Sequence, residues 1–330
     1  MKETLKRYRI VLMATLIALF SSFISAQEYP TKPIEWYSPY GTGGPAALAM
    51  KLVMDSAAKS LGQPVVMVNA PGAGGTIASA RVARAKPDGY SLVMASSGNH
   101  GIAMYTVKDL SYTNADFEFI ALFGVLEIAL FVGPHTPFKT LEEFVAHAKK
   151  NPHALKFTTT GVGSGPNFIL ESLKMQAGGL QIDPVVFKTS PEQRTTVLGG
   201  HTHASVVYGG SGGPGDNISQ AIEGGGRMLA VTAKKRLEAF PQIPTFAEKG
   251  YDISYRGWYG IAAPKGMPKE VSKKLKDAVY KALEDPAVIK GIKSMGFVYE
   301  PMHSEEFSKF VKTAEAEIKI IAEKAQIPRE

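Results

Sequence analysis

Cysteine is missing from all 330 residues. Without it no disulfide framework can form, and no lipid can be attached to a cysteine behind an export signal. Clustered Lys and Arg with interleaved aromatics are missing too; the densest basic group, Lys234-Lys235-Arg236, reads as the solvated start of a helix. A formal charge of +7 without such a stripe argues against nucleic acid as a partner. Nor is there an apolar run of the roughly 20 residues that a membrane-spanning helix needs. The longest, from Ile10 to Ile24, has fifteen residues and is interrupted by Thr15, Ser21 and Ser22.

That short run has its own meaning. Lys2, Lys6, Arg7 and Arg9 precede it and Ser25-Ala26 close it, which is the layout of a secretory signal. Residues 1–26 are therefore expected to be a signal peptide cut after Ala26, although Ile24 is larger than the residue usual at the third position before a cut. Four basic residues and one acidic one, Glu3, leave with it, taking the formal charge from +7 to +4. The expected product is an unanchored protein of the periplasm.

What is present is apolar residues at 45 %, enough for real cores, and a chain long enough for two lobes. Short apolar runs at Ile34 to Tyr37, Val65 to Val68, Leu92 to Ala95, Phe119 to Phe123 and Ala129 to Val132 read as strands. Helical spacing intervenes: Leu141, Phe144, Val145 and Ala148 follow a capping box of Thr140 and Glu143. Such alternation predicts βαβ units, mainly parallel sheets, and ligand-binding loops at the strand ends. From Lys269 to Ala325 the pattern is mostly helical, with one stripe of Val271, Leu275, Ala278 and Ala282 and another of Phe307, Phe310, Val311, Ala314, Ile318 and Ile321.

Glycine makes up 33 residues and concentrates between strand and helix signals. Tyr40-Gly41-Thr42-Gly43-Gly44-Pro45 follows the first strand and opens a helix, with Pro45 suited to its first turn. Asn69 to Thr76, with Gly72, Gly74 and Gly75, does the same after the second, and Ser96-Ser97-Gly98-Asn99 follows the third. Thr158 to Pro166 repeats the arrangement in the second half, with Thr159, Thr160, Gly161 and Ser164. Loops of this kind aim backbone N–H groups and helix N-termini at one region, where an anion binds without Arg or Lys; glycines that merely turn the chain are the alternative.

In this order the loops resemble those of the Bug or TctC family, the extracytoplasmic solute receptors of tripartite tricarboxylate transporters. The resemblance runs through Tyr29 to Ile34, Ser38 to Pro45, Val65 to Thr76, Ala85 to Tyr90, Phe187 to Ser190, Leu198 to Gly200, Leu229 to Arg236, Ile243 to Tyr251 and Ala263 to Pro268. It implies an α/β periplasmic-binding-protein fold of the type II, Venus-flytrap kind, with two α/β lobes around a ligand cleft. Residues 27–125 plus 256–330 would form lobe 1 and residues 126–255 lobe 2, the chain crossing near Gly124 to Glu127 and near Ser254 to Trp258. Carried over by position, the pocket comprises Tyr40, Gly41, Thr42, Gly43, Gly44, Gly74, Gly75, Ser96, Ser97 and Asn99 from lobe 1. Lobe 2 would add Thr159, Thr160, Gly161, Ser164, Lys188, Tyr208 and Gly209. The implied ligand is a small carboxylate, a di- or tricarboxylate or an aromatic acid, delivered by a monomer without a cofactor to the large and small membrane subunits of such a transporter. Phe168 and Trp258, with Tyr40 and Tyr208, are candidates to line the cleft or the core.

This chain departs from the family's pattern where Ala47 and His203 replace its usual Asp and Val162 a small polar residue. Loss of an acidic partner disfavours an amino-acid ligand, whose ammonium needs a counter-charge. A periplasmic sensor would use the same closed cleft. A serine hydrolase is formally possible at Gly209-Gly210-Ser211-Gly212-Gly213 with Asp252 and His303, but Pro214 and Gly215 occupy the place where the helix after the nucleophile must start. His201 and His203 would share a strand face, yet no third metal ligand is evident.

Overall fold

A computed structural model describes residues 29–39, 44–161, 164–187, 190–213, 215–324 and 329. The expected signal peptide, residues Tyr40 to Gly43, and Lys188 lie outside the described residues.

In chain order the first elements are β1 (Ile34–Ser38), α1 (Pro45–Leu61), β2 (Val65–Asn69), α2 (Thr76–Ala83), β3 (Ser91–Ser96) and the short α3 (Ala103–Thr106). Then come β4 (Phe117–Val132), α4 (Leu141–Lys150), β5 (Lys156–Thr159), α5 (Gly165–Gln176), β6 (Asp183–Val186), α6 (Ser190–Leu198), β7 (Ala204–Gly209), α7 (Asn217–Glu223) and β8 (Arg227–Val231). The chain ends with β9 (Gly257–Pro264), α8 (Lys269–Glu284), α9 (Pro286–Ser294), β10 (Met302–His303) and α10 (Ser304–Lys324).

The strands run in the order β2-β1-β3-β9-β4-β7-β5-β6, with β8 and β10 also paired to β4. Among the described strands, parallel ladders join β1 with β2 and β3, and β5 with β6 and β7. Every partner of β4 is antiparallel. The expectation of mainly parallel sheets thus holds at the two flanks and fails at the centre, where β4 and β9 carry the chain out and back and so must oppose each other.

Two strands were expected where one 16-residue strand runs from Phe117 to Val132. Gly124 and Glu127 look like interruptions in the sequence, but neither breaks the pairing. Gly124 faces Phe297, which leaves about 2.9 Å for a β-carbon, and the register shifts beside it. At Leu126↔Gly257 and Glu127↔Gly209 the strand changes its partner from β9 to β7. β4 is thus the common spine of two sheets.

Each sheet buries its own core. On one side α1 and α8 pack Met50, Val53, Leu275 and Val279 against Ile34, Leu92 and Ile261. In the other sheet α4 and α5 pack Phe144, Phe168 and Leu170 against Leu130, Phe157 and Val206. Full burial of one such side chain is worth roughly 1.5–3 kcal/mol. The amphipathic spacing at Leu141, Phe144, Val145 and Ala148 is buried as expected, and Thr140 Oγ1 accepts from Glu143 N. The return bond differs: Glu143 Oε2 takes the N–H of Lys139, one residue before the expected partner. α10 divides its apolar face, with Phe307 and Val311 beside Trp258, and Ile318 and Ala322 in the core that holds Phe168 and Tyr255. Lys234-Lys235-Arg236 is exposed as expected but starts no helix. Arg236 instead clamps Glu248 and the Pro241 carbonyl, which holds the segment in a bend.

Candidate functional site

The C-terminal ends of β1, β2, β3 and β5 lead into the four loops singled out above, and that of β7 into Gly210 to Gly213. Glycine has a conformational reason to be there at Gly74 and Gly75, which sit at φ 64° and 96°, and at Gly161, at φ 107°. Gly44 differs: its φ of −75° is open to any residue, and it serves as the N-cap of α1 with Pro45 next to it. Much of the hydrogen bonding at these loops is internal. Gly75 N donates to Gly72 O, Gly161 N to Thr159 Oγ1, and Ser164 Oγ to Gly161 O. Thr159 is buried, whereas Thr160 is exposed.

Asn99 and Ser96 are bonded to each other at the end of β3. Asn99 Oδ1 accepts from Ser96 N at 2.8 Å and Ser96 Oγ at 2.6 Å, while Nδ2 donates to Ser79 Oγ and Met94 O. Its side chain is therefore spent on fixing the turn. His100 follows it, fully buried between Ser79 Oγ and Asn114 Oδ1, with the Phe117 ring at 4.6 Å. Burial drives its pKa down to about 4, against a smaller upward pull from Asn114. The folded chain thus keeps His100 neutral, while the unfolded chain protonates it near pH 6.5. Stability from this group is complete above about pH 6.5 and is lost as the pH falls toward 4, by roughly 3 kcal/mol in all. Urea midpoints at pH 7.5 and 4.5 should show that slope in the wild type and lack it in His100→Gln.

Ser97 points the other way. Its Oγ accepts from Tyr255 Oη at 2.9 Å, a buried bond between the end of β3 and the segment leading into β9. Tyr255 lies 5.2 Å from the Phe168 ring of α5. Tyr208 completes the arrangement. A β-carbon at Gly165 would stand 2.3 Å from its hydroxyl oxygen, and one at Gly257 would touch its ring. Ser97, Tyr255, Tyr208 and the Ser164–Gly165 turn of α5 therefore meet where the two sheets face each other. Phe168 and Trp258 are core residues: Phe168 is fully buried, and Trp258 stacks edgewise on Phe307 and Phe310 at 5.6 and 6.0 Å.

Gly209 is packed by Asp216, whose buried carboxylate accepts from Gly210 N and Gly212 N through Oδ2 and from Ile218 N through Oδ1. Asn217 Nδ2 donates to Tyr208 O and its Oδ1 accepts from Arg194 of α6. Sequence reasoning missed Tyr255, Gly165, Asp216 and Asn217; only Asp216, an N-cap residue before an apolar turn, carried a local signal.

Neither alternative chemistry gains from the geometry. Ser211 Oγ donates to the Lys293 carbonyl at 2.7 Å, and the next helix, α7, starts at Asn217. β7 starts at Ala204, so His201 and His203 precede it and share no strand face; His203 Nδ1 accepts from Lys156 N. Among the described residues no group of three or more His, Asp or Glu is placed to hold a metal ion.

Two α/β sheets joined by a common strand, with Ser97 and Tyr255 meeting Tyr208 and Gly165 at the junction, define the periplasmic binding-protein class. Comparison with known proteins agrees. The family described as "Tripartite tricarboxylate transporter family receptor", TctC, matches residues 49–327, and the chain belongs to it. A UPF0065 protein of Bordetella bronchiseptica is 32 % identical over 87 % of this chain and 84 % of its own. Protein BugT of Bordetella pertussis is 27 % identical over 86 % of this chain and 89 % of its own. Among solved structures, the periplasmic binding protein BugD superposes with a TM-score of 0.78 at 27 % identity, covering 92 % of this chain and all of BugD. A Rhodopseudomonas palustris protein solved with adipate shares the fold at a TM-score of 0.80 and 23 % identity, over 92 % of this chain and 100 % of that one. The family is one of solute-binding proteins, and no helix among the described residues is long and apolar enough to cross a membrane.

Proposed function

We propose that this chain is a periplasmic carrier that closes two lobes on a small carboxylate and brings it to the large and small membrane subunits of a tripartite tricarboxylate transporter. The observation that carries the reading is the meeting of Ser97 and Tyr255 with Tyr208 and Gly165 at the junction of the two sheets. Residues 27–125 plus 256–330 act as one lobe and residues 126–255 as the other, hinged where β4 changes partner. α10 reaches from the first onto the second. One carboxylate is held by the N–H groups of the loops that include Tyr40 to Gly44 and Gly72 to Gly75, and the opposing wall is Gly161, Ser164, Lys188 and Tyr208. Each N–H bond to a carboxylate contributes roughly 1.5–3 kcal/mol, so a few of them reach micromolar affinity. The protein is exported with residues 1–26 removed and acts as a monomer.

A thermal-shift screen of the mature chain against mono-, di- and tricarboxylates, malate and adipate among them, tests this. A ligand at a hundred times its Kd adds about 2.7 kcal/mol to stability and shifts the melting temperature accordingly. A panel in which no carboxylate moves it would overturn the reading.

A further inference from the structure

α6 carries two adjacent side chains whose bonding is incomplete among the described residues. Gln193, in α6, is 1 % exposed, and neither its Nε2 nor its Oε1 has a partner. A buried amide with both ends unbonded is rare, since each end gave up a bond to water on burial. Beside it Arg194 is partly buried and makes no ion pair among the described residues. Burial lowers its pKa, and no neighbouring carboxylate opposes that. Asp216, the buried acid next to Arg194's partner Asn217, has both oxygens committed to backbone N–H groups.

Arg194 is nevertheless aimed. One guanidinium nitrogen is fixed on Asn217 Oδ1, and Asn217 is itself fixed on the carbonyl of Tyr208. That anchors the guanidinium at the C-terminal end of β7, beside the half-buried tyrosine at the lobe junction. α6 also begins just after the end of β6, so its first turns lie at the same edge of the sheet. Arg has five N–H donors in a planar fork, and one bond to Asn217 leaves the rest for an anion.

The geometry points to Arg194 and Gln193 as the residues that read a second acidic group on the ligand, making this cleft selective for linear dicarboxylates over monocarboxylates. The inference rests on the cleft reading above: the loops of lobe 1 hold one carboxylate, and the Arg194 fork with the Gln193 amide holds the other. A monocarboxylate leaves the guanidinium without its counter-charge and the amide unbonded.

Calorimetric titration of the purified chain with acids matched in length, succinate against butyrate and adipate against hexanoate, reads the effect directly. The wild type is expected to prefer the diacid of the better-fitting pair by roughly 10- to 100-fold. Arg194→Gln should bring that ratio to within about threefold while leaving monoacid affinity in place, and Arg194→Lys should keep part of the preference, since it retains the charge without the fork. Gln193→Leu, which removes the amide, should weaken the diacid alone. A preference that survives in Arg194→Gln, or a wild type that binds monoacid and diacid equally, overturns this assignment and leaves the carrier reading intact. Failure of every carboxylate to bind the wild type overturns both.

Discussion

Arg256→Met is expected to destabilise the folded chain by roughly 3–5 kcal/mol, because it strands a buried carboxylate. Arg256 stands just before β9. It donates through Nε to Glu127 Oε1 at 2.5 Å and through both terminal nitrogens to Glu300 at 3.0 Å. Glu127 is 2 % exposed, and its Oε2 has no partner. Burial pushes the Glu127 carboxyl above the ordinary range despite the pull of Arg256. Burial alone would lower the Arg256 guanidinium, but Glu300 and Glu127 together hold it above its usual value. With methionine in place, nothing opposes the desolvation of Glu127, so its folded-state pKa rises further above the value of about 4.3 in the unfolded chain. The penalty is therefore full above that raised pKa and disappears as the pH falls through it. Urea midpoints of Arg256→Met should approach those of the wild type below about pH 5, and the double variant Arg256→Met with Glu127→Gln should recover most of the loss at pH 7.5. A pH-independent deficit would mean that lost packing, not stranded charge, is responsible.

The same three residues tie the two sheets at their seam. Glu127 is the first residue of β4 paired with β7, Arg256 precedes the first residue of β9, and Glu300 follows Val298, which bridges to Val125. Any closing motion about β4 has to turn around this cluster. The Tyr255–Ser97 bond lies one residue away from it along the chain.

Local elements of this fold were legible in the sequence because their signals are local. The runs at Ile34, Val65 and Leu92 became strands because turn-forming residues bound them, and Thr140 capped α4 because a hydroxyl three residues before an amide needs no tertiary help. β4 was misread as two strands because Glu127 looks like a polar break, and only Arg256, far along the chain, makes that position tolerable inside. The glycine loops were found, but the groups that organise them were not. Tyr255 meets Ser97 across 158 residues of sequence. Asn99 was placed at the site by its position in the resemblance; its four bonds to Ser96, Ser79 and Met94 depend on a three-dimensional neighbourhood that spacing does not encode.

Asp216→Ala is the other change expected to be severe, at roughly 4 kcal/mol, and its cause is of the opposite kind: a charge held entirely by backbone. The carboxylate is fully buried and receives N–H bonds of 2.7 Å from Gly210, 2.8 Å from Gly212 and 2.8 Å from Ile218. Hydrogen bonds to a charged group contribute roughly 1.5–3 kcal/mol each, and donors left unpaired in the interior add their own penalty. Part of the loss is recovered by water at Gly212, which is only partly buried. Asp216→Asn separates the terms. Its oxygen can keep the place of Oδ2 and satisfy Gly210 and Gly212, but the amide nitrogen then faces Ile218 N as a second donor, so about half the loss should remain. The consequence extends beyond α7, because Ser211 and Gly215 dock on the end of α9: Ser211 Oγ donates to Lys293 O and Gly215 N to Ser294 O. Loosening Asp216 therefore frees a contact between the two sheets as well as a helix cap. Hydrogen exchange of Asp216→Ala, which removes both oxygens, should show faster exchange at the amides of Gly210, Gly215 and Ile218 together. Acceleration at Ile218 alone would mean that the carboxylate caps a helix and does not hold the loop.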